Sequence, residues 1–295
     1  MALLLVLLFR GMVAHITSES CFRLRSRSRH TPQLVSLLPI SLVVPGTVRE
    51  TECLADFVSM LALSPSQPFE LIIVMSEIGE RTQAQVSKIR HIERLAKASL
   101  RSNVRLFFRE GRHWQHANRN FGAAVSTQPL ISFMDIDDLP HPRRLDIIFK
   151  LFSLHSDLSL LLHKFVEFSS SCPRIHDINE SMGLFFSYKT VKDAYTAFRR
   201  SDPCGLKDCC TFISEKFGIA HNAWGTMRRE VWEAVPQRPL FRVEDSMHNT
   251  DIAAMGYNVS ATQLPLGYYR QRVNGLRVCG QVAHALVGNM VDLGN

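Results

Sequence analysis

No two of the seven cysteines form a CxxC pair, which excludes the zinc-ribbon and zinc-finger classes, and they are too scattered for a dense disulfide framework. Only Cys204, Cys209 and Cys210 cluster, and a disulfide there or free loop thiols are both open. Cys53 falls on an apolar helical face and reads as a small core residue. No apolar run reaches the about 20 residues that span a bilayer. Ala2 to Phe9, cut short by Arg10, is nearer a signal-peptide core but lacks the basic residues that precede one. Acid is scarce as well: up to Val48 only Glu19 is acidic, as in an organelle transit sequence. A signal or weak anchor, a transit peptide and an untargeted leader packing on the domain all stand for residues 1–38. A secretory or membrane-associated location is expected ahead of a cytoplasmic one. Repeats are missing, and low complexity is confined to one Arg/Ser patch.

What is present is ordinary globular material: 295 residues, 46% hydrophobic and 21% charged, enough for a sizeable core. The net charge of +7 favours anionic partners, whether nucleic acid, a phospholipid surface or a phosphate-bearing small substrate. Arg23, Arg25, Arg27 and Arg29 supply much of it. A rival reading is an RNA- or membrane-binding module driven by that patch, while the partner expectation for the protein is a membrane-surface association and no specific nucleic acid.

The globular part begins near Pro39. Ile40 to Val44 reads as a strand ended by a turn at Pro45-Gly46, and Val48, Cys53, Leu54, Phe57, Val58 and Leu61 mark a helical face. Phe69 to Met75 is a near-continuous apolar run, as in a parallel strand covered on both faces. A helix through Val86, Ile89, Ile92 and Leu100, a strand over Val104 to Phe108, and a short helix over Ala117 to Val125 follow. Alternating strands and helices predict an open, mostly parallel sheet with right-handed crossovers. A helix from Pro142 and a strand over Leu160 to Phe168 come next. Residues 169–216 carry little periodicity and read as a lid or binding insertion.

The chain is organised around Pro129 to Pro140, PLISFMDIDDLP: a short buried strand opening into a loop with Asp135, Asp137 and Asp138. Carboxylates this close repel one another, and hard oxygen ligands suit Mn²⁺ or Mg²⁺. In an open α/β sheet, strand carboxyl ends are where ligands bind. The plainer reading is a turn in which Asp138 caps the next helix. A second acid pair, Glu244-Asp245, precedes a helical stretch ending at Gly256-Tyr257, and there too a helix N-cap is the plain alternative. His113, Trp114 and His116 form no zinc site, since further ligands are missing.

Taken together, PGTVRE after the first strand, RNFG (Arg119 to Gly122), FMDIDDLPHPRRL, GTMRREVWEAV and VEDSMHNTDIAAMGYNV resemble, in order and spacing, the family 2 glycosyltransferases over roughly Pro39 to Arg272. That resemblance implies the GT-A fold, α/β with a mostly parallel open sheet flanked by helices. It implies a Rossmann-like nucleotide-sugar half at 39–140, an acceptor half at 141–275 and a tail at 276–295. It further implies a metal-dependent, inverting sugar transfer from a nucleotide-diphosphate donor, a UDP-sugar first, to a glycan, lipid or protein hydroxyl. Asp137 and Asp135 would hold Mn²⁺ or Mg²⁺, with Asp135 also near the ribose, and Asp138 would stand behind them. Pro45, Thr47, Arg49, Ser76 and Arg119 would face the nucleotide, with Arg49 and Arg119 toward phosphate or base. Asp245 would take the acceptor proton while Glu244 orients the acceptor, and His221 and Trp224 would stack on or bond the sugar.

Two departures stand out. The family places an Asp at the end of the second strand to hold the base, where this chain reads Val74-Met75-Ser76-Glu77. A C-terminal metal-binding His is replaced by Tyr269-Arg270-Gln271-Arg272. Alternatives from other classes are a degenerate relative that binds nucleotide-sugar or glycan without turnover, and a nucleotidyltransferase. The latter is disfavoured because PGTVRE is a poor Gly-rich phosphate loop.

Overall fold

The computed structural model describes residues 39–64, 69–100, 102–168, 173, 175–178, 222–240, 244–272, 278–280 and 282. The expected leader, its arginine patch, the Cys204–Cys210 cluster, His221 and most of the 169–216 insertion lie outside them. The first half alternates as the apolar pattern predicts: β1 (Ile40–Thr47), α1 (Thr51–Ala62), β2 (Glu70–Ile78), α2 (Gln83–Ser99), β3 (Asn103–Glu110), α3 (Gln115–Val125) and β4 (Leu130–Phe133). Then come β5 (Leu139–Pro140), α4 (Arg144–Leu154), β6 (Leu160–Phe168), β7 (Thr226–Arg228), α5 (Arg229–Ala234), α6 (Glu244–Ala254) and β8 (Val259–Arg270).

The strands form one eight-stranded sheet in the order β3-β2-β1-β4-β7-β6-β8-β5. β1 pairs in parallel with β2 and β4, β2 with β3, and β6 with β8. β7 runs antiparallel between β4 and β6, and β5 antiparallel to β8. Side-chain alternation divides the core by face. Leu42, Val44, Leu71 and Ile73 pack with Leu54 and Phe57 of α1, Ile89 of α2 and Ile148 of α4. Val43, Ile72 and Val74 point the other way, with Ala123 of α3, Val231 of α5 and Ile252 of α6. Helices on both faces explain why these strands read as continuous apolar runs.

Three local expectations change. β1 does not stop at Pro45-Gly46 but continues to Thr47 beside β2, while its pairing with β4 ends at Val43. The Val43 carbonyl faces β4, so two residues on Pro45 presents its missing N–H to the same, already vacated side. The twelve-residue β8 escaped the sequence reading because Thr262, Gln263, Pro265 and Gly267 interrupt its alternation, and its pairing with β6 shifts register accordingly. Cys53 is not a free core thiol: it is disulfide-bonded to Cys279, a pairing hidden by the sequence distance between them.

Candidate functional site

Because β1, β2 and β4 run parallel, their carboxyl ends open on one edge of the sheet, and the acidic loop lies there directly after β4. Ligand oxygens of Asp135, Asp137 and Asp138 lie within 4.8 Å of one another. Asp137 and Asp138 are buried, while Asp135 is partly open. The Asp138 Oδ1 accepts the Arg270 N–H at 2.8 Å. Burial, reinforced by the Asp135 charge, pushes the Asp138 carboxyl well above the usual carboxylate range, against the pull of Arg270 and the Trp224 indole. Crowded carboxylates made costly by burial are relieved by a hard cation, and an all-oxygen donor set fits Mg²⁺ or Mn²⁺.

Arg119 of α3 is buried and forks between two acids. Its Nη2 donates to Asp135 Oδ1 at 2.5 Å and its Nη1 to Glu244 Oε1 at 3.1 Å. Where phosphate or base was expected, the contacts of its guanidinium are carboxylates, and its buried Nε has no hydrogen-bond partner among the described residues. Burial works against its charge, but Asp135, Asp245 and Glu244 together raise its pKa further. The Glu244 carboxyl is raised by its own burial and by Asp245, with Arg119 opposing. Asp245, partly exposed in the first turn of α6, accepts the Ser246 N–H through Oδ1 at 2.7 Å. Its N-terminal bonding and its place beside Glu244 coexist.

On the nucleotide side, Ser76 is buried in β2. Its Oγ donates to the Gly46 carbonyl at 3.3 Å and accepts from Asn118 Nδ2 at 3.0 Å, so Ser76 is a strand-to-helix tie, not an open base contact. The carboxylate at this strand end comes from the next residue. Glu77 stands at φ 65°, in the left-handed region, its N–H bonds the Gly111 carbonyl at 2.7 Å, and its Oε2 receives Arg49 Nε at 2.9 Å. A cleft of about 460 Å³ lies here, lined by Val48, Arg49, Glu77, Thr82, Gln85 and Arg112. Thr47 turns its N–H to Glu50 Oε2 at 2.8 Å, opening the short 3-10 turn that presents Arg49. Pro45 is buried within β1.

Trp224 does not serve the acceptor side. Its ring is fully buried, close against Gly267 and in contact with His163 and Phe165, so no face remains for a sugar. Three residues framing the loop went unread in the sequence. Arg144, buried in α4, donates to Ser132 Oγ at 2.9 Å, to the Phe133 carbonyl at 3.2 Å and to the Trp224 carbonyl at 3.0 Å, and burial lowers its pKa to about 9. Arg270 and Asp56, both buried, pair at 2.9 Å. Their one signal was an Arg where a metal-binding His was expected.

The family model described as glycosyl transferase family 2 matches residues 41–214, more than half of the chain. Among solved structures, S. aureus TarS 1-349 in complex with UDP-GlcNAc superposes with a TM-score of 0.53 at 14% identity, over 79% of this chain and 59% of that one. The mannosyltransferase PcManGT from Pyrobaculum calidifontis, in complex with GDP-Man and Mn²⁺, gives 0.51 at 14% identity, over 83% and 62%. The likeness is one of fold, GT-A in both cases, and this chain spans about three fifths of each neighbour's length. No curated protein matches the chain.

Proposed function

Since the chain belongs to glycosyl transferase family 2, we propose that it transfers a sugar from a nucleoside-diphosphate donor to a hydroxyl acceptor, inverting the anomeric centre. The observation that carries this reading is the joining of two acid groups by one buried guanidinium: Asp135 of the loop after β4 and Glu244 at the start of α6 meet on Arg119. The loop that would serve the donor and the helix that would serve the acceptor thereby meet in one place. Neighbours whose structures contain UDP-GlcNAc or GDP-Man and Mn²⁺ support the donor class.

Asp135 and Asp137 would hold a divalent cation, which offsets the charge developing on a departing diphosphate. Asp138, bonded to the Arg270 N–H, fixes the loop from behind. The acceptor hydroxyl gives its proton to Asp245 as its oxygen bonds the anomeric carbon and the bond from that carbon to the diphosphate oxygen breaks. Glu244, held by Arg119, stays beside Asp245 and orients the acceptor. The base belongs in the Arg49–Glu77 cleft, where Glu77 accepts from a ring N–H and Arg49 or Arg112 meets carbonyl or phosphate oxygen. Uracil is our first choice.

The test is donor binding and hydrolysis across UDP-, GDP- and CMP-sugars with Mn²⁺, Mg²⁺ or EDTA. Metal-dependent binding of one donor, lost in Asp137→Ala and retained in Asp245→Asn with turnover down by about a hundredfold or more, supports the assignment. Equal behaviour of Asp137→Ala and wild type with every donor sinks it and leaves a structural turn.

A further inference from the structure

The acidic loop is held from behind by a connected set of contacts that ends at the disulfide. Arg270, the last residue of β8 and buried, donates from each of its four nitrogens to this set. Its N–H goes to Asp138 Oδ1 at 2.8 Å and its Nε to the Asp137 carbonyl at 2.9 Å. Its Nη2 goes to Asp56 Oδ2 at 2.9 Å and its Nη1 to the Val278 carbonyl. The same Asp56 oxygen accepts the Gly280 N–H at 2.8 Å. Cys279, between Val278 and Gly280, is bonded to Cys53, one helical turn before Asp56 on the same face of α1. Three consecutive tail residues are thus pinned, one by Arg270, one by Cys53 and one by Asp56. Gly280 stands at φ 90°, a conformation that favours glycine.

The two halves of this set depend on each other. A buried ion pair is stable only when its remaining hydrogen-bonding groups are met, and here the tail supplies two of them, the Val278 carbonyl and the Gly280 N–H. Val278 is 46% exposed, so beside the clamp the described tail is anchored by Val282, fully buried among Met60, Leu139, Phe168 and Tyr268. We propose that Arg270 is the positioning residue that holds Asp137 and Asp138 for a divalent cation, and that the Cys53–Cys279 disulfide keeps Arg270 in that position. A dithiol reductant transfers two electrons and two protons to the disulfide, itself becoming a disulfide, and leaves two thiols. The tail then keeps its apolar anchor at Val282 but not its covalent one, the hold of Arg270 on the Val278 carbonyl and of Asp56 on Gly280 weakens, and the loop loosens. Cys279, only half-buried, gives a reductant its point of entry. This rests on the reading of Asp135 and Asp137 as cation ligands.

Mn²⁺ titration of the full chain, followed by the electron paramagnetic resonance signal of free Mn²⁺, tests it with no donor or acceptor present. Samples are oxidised wild type, dithiothreitol-reduced wild type, the Cys53→Ser/Cys279→Ser double variant and Arg270→Lys, each with a thermal unfolding curve. We expect Mn²⁺ affinity to fall by about tenfold on reduction, to return on reoxidation, and to be low and insensitive to dithiothreitol in the double variant. Arg270→Lys, which keeps charge but not the fork, falls by roughly 10- to 100-fold, the range for outer-shell partners of metal ligands. Equal affinity in oxidised and reduced protein overturns the clamp while leaving the cation site intact. A reduced protein with no unfolding transition also overturns it, because the disulfide then holds the fold and not the loop. No Mn²⁺ uptake by oxidised wild type overturns the cation reading itself and the clamp with it.

Discussion

Asp135, just beyond β4, and Glu244, at the start of α6, are bound to the same guanidinium, Arg119, at 2.5 and 3.1 Å. The loop proposed to hold the donor's cation and the helix proposed to carry the base therefore cannot move apart independently. Arg119→Met keeps the bulk and removes the charge, leaving Asp135, Glu244 and Asp245 facing one another. Removing one partner of a buried pair costs about 3–5 kcal/mol, and the partial exposure of these acids places the expected loss at the lower end. Glu244, already raised by burial and Asp245 against the pull of Arg119, loses that opposition in the variant, so the loss is full above its raised folded value and shrinks as pH falls through it. Urea midpoints from pH 7 down to about 4 check this. A constant difference would mean that Arg119 acts through packing alone.

Most of the fold was legible because both faces of the central strands are buried, so β1, β2 and the first part of β6 wrote themselves as apolar runs and α1 and α2 as amphipathic faces. The acidic loop was legible because three carboxylates in four positions at a strand end have few structural uses. What escaped depends on partners distant in sequence. Nothing near Arg119 says that Glu244 closes on it, nothing near Cys53 names Cys279, and Trp224 reads as a sugar platform until Gly267 and Phe165 are packed on it. Ser76 and Glu77 were separated only by the left-handed turn at Glu77, which no residue pattern announces.

That turn carries its own prediction. A non-glycine residue in the left-handed region is strained by about 1 kcal/mol, and Glu77 occupies it at φ 65°. Glu77→Gly should leave stability unchanged or raise it by up to about 1 kcal/mol, since the lost ion pair with the largely exposed Arg49 contributes little. The same change should weaken donor binding by about tenfold, the loss of one charge-assisted hydrogen bond. Calorimetric titration with the nucleotide and a melting curve read the two effects separately. Unchanged nucleotide affinity would remove Glu77 from the base cleft.

His248 of α6 is held neutral. Its Nε2–H donates to the Val235 carbonyl at 2.7 Å, and burial, with the Arg119 charge adding to it, lowers its pKa to about 4. A folded pKa below the ordinary imidazole value of 6.5 means that the unfolded chain binds the extra proton first. The contribution of His248 is thus fully present above about 6.5 and lost as pH falls toward about 4. His248→Gln keeps a donor for Val235 and does not titrate. The gap between wild type and variant should therefore narrow, or reverse, as pH drops through that window. Comparing the two chains cancels Asp138, whose raised carboxyl pKa works in the opposite sense.

Gly122 closes the RNFG element, one turn beyond Arg119 on α3. A Cβ there would stand 2.4 Å from Val43 Cγ1 and 3.2 Å from Val74 Cγ2, which lie on β1 and β2. Alanine in a helix interior ordinarily gains about 0.5–1 kcal/mol over glycine. Here the clash is with branched side chains of buried strands, which cannot swing aside, and overpacking costs about 1–3 kcal/mol. The net sign is destabilising. Because Arg119 rides on the same helix, lifting α3 off the sheet also lengthens its reach to Asp135 and Glu244, so Gly122→Ala should weaken Mn²⁺ binding as well as lower the melting temperature. Val43→Ala supplies the missing space. Added to Gly122→Ala, it should cost less than it does alone, with a coupling of about 1 kcal/mol or more, and recover part of the Mn²⁺ affinity. Strict additivity in that cycle would mean that α3 does not rest on Val43, and Gly122 would then owe its place to something other than close packing.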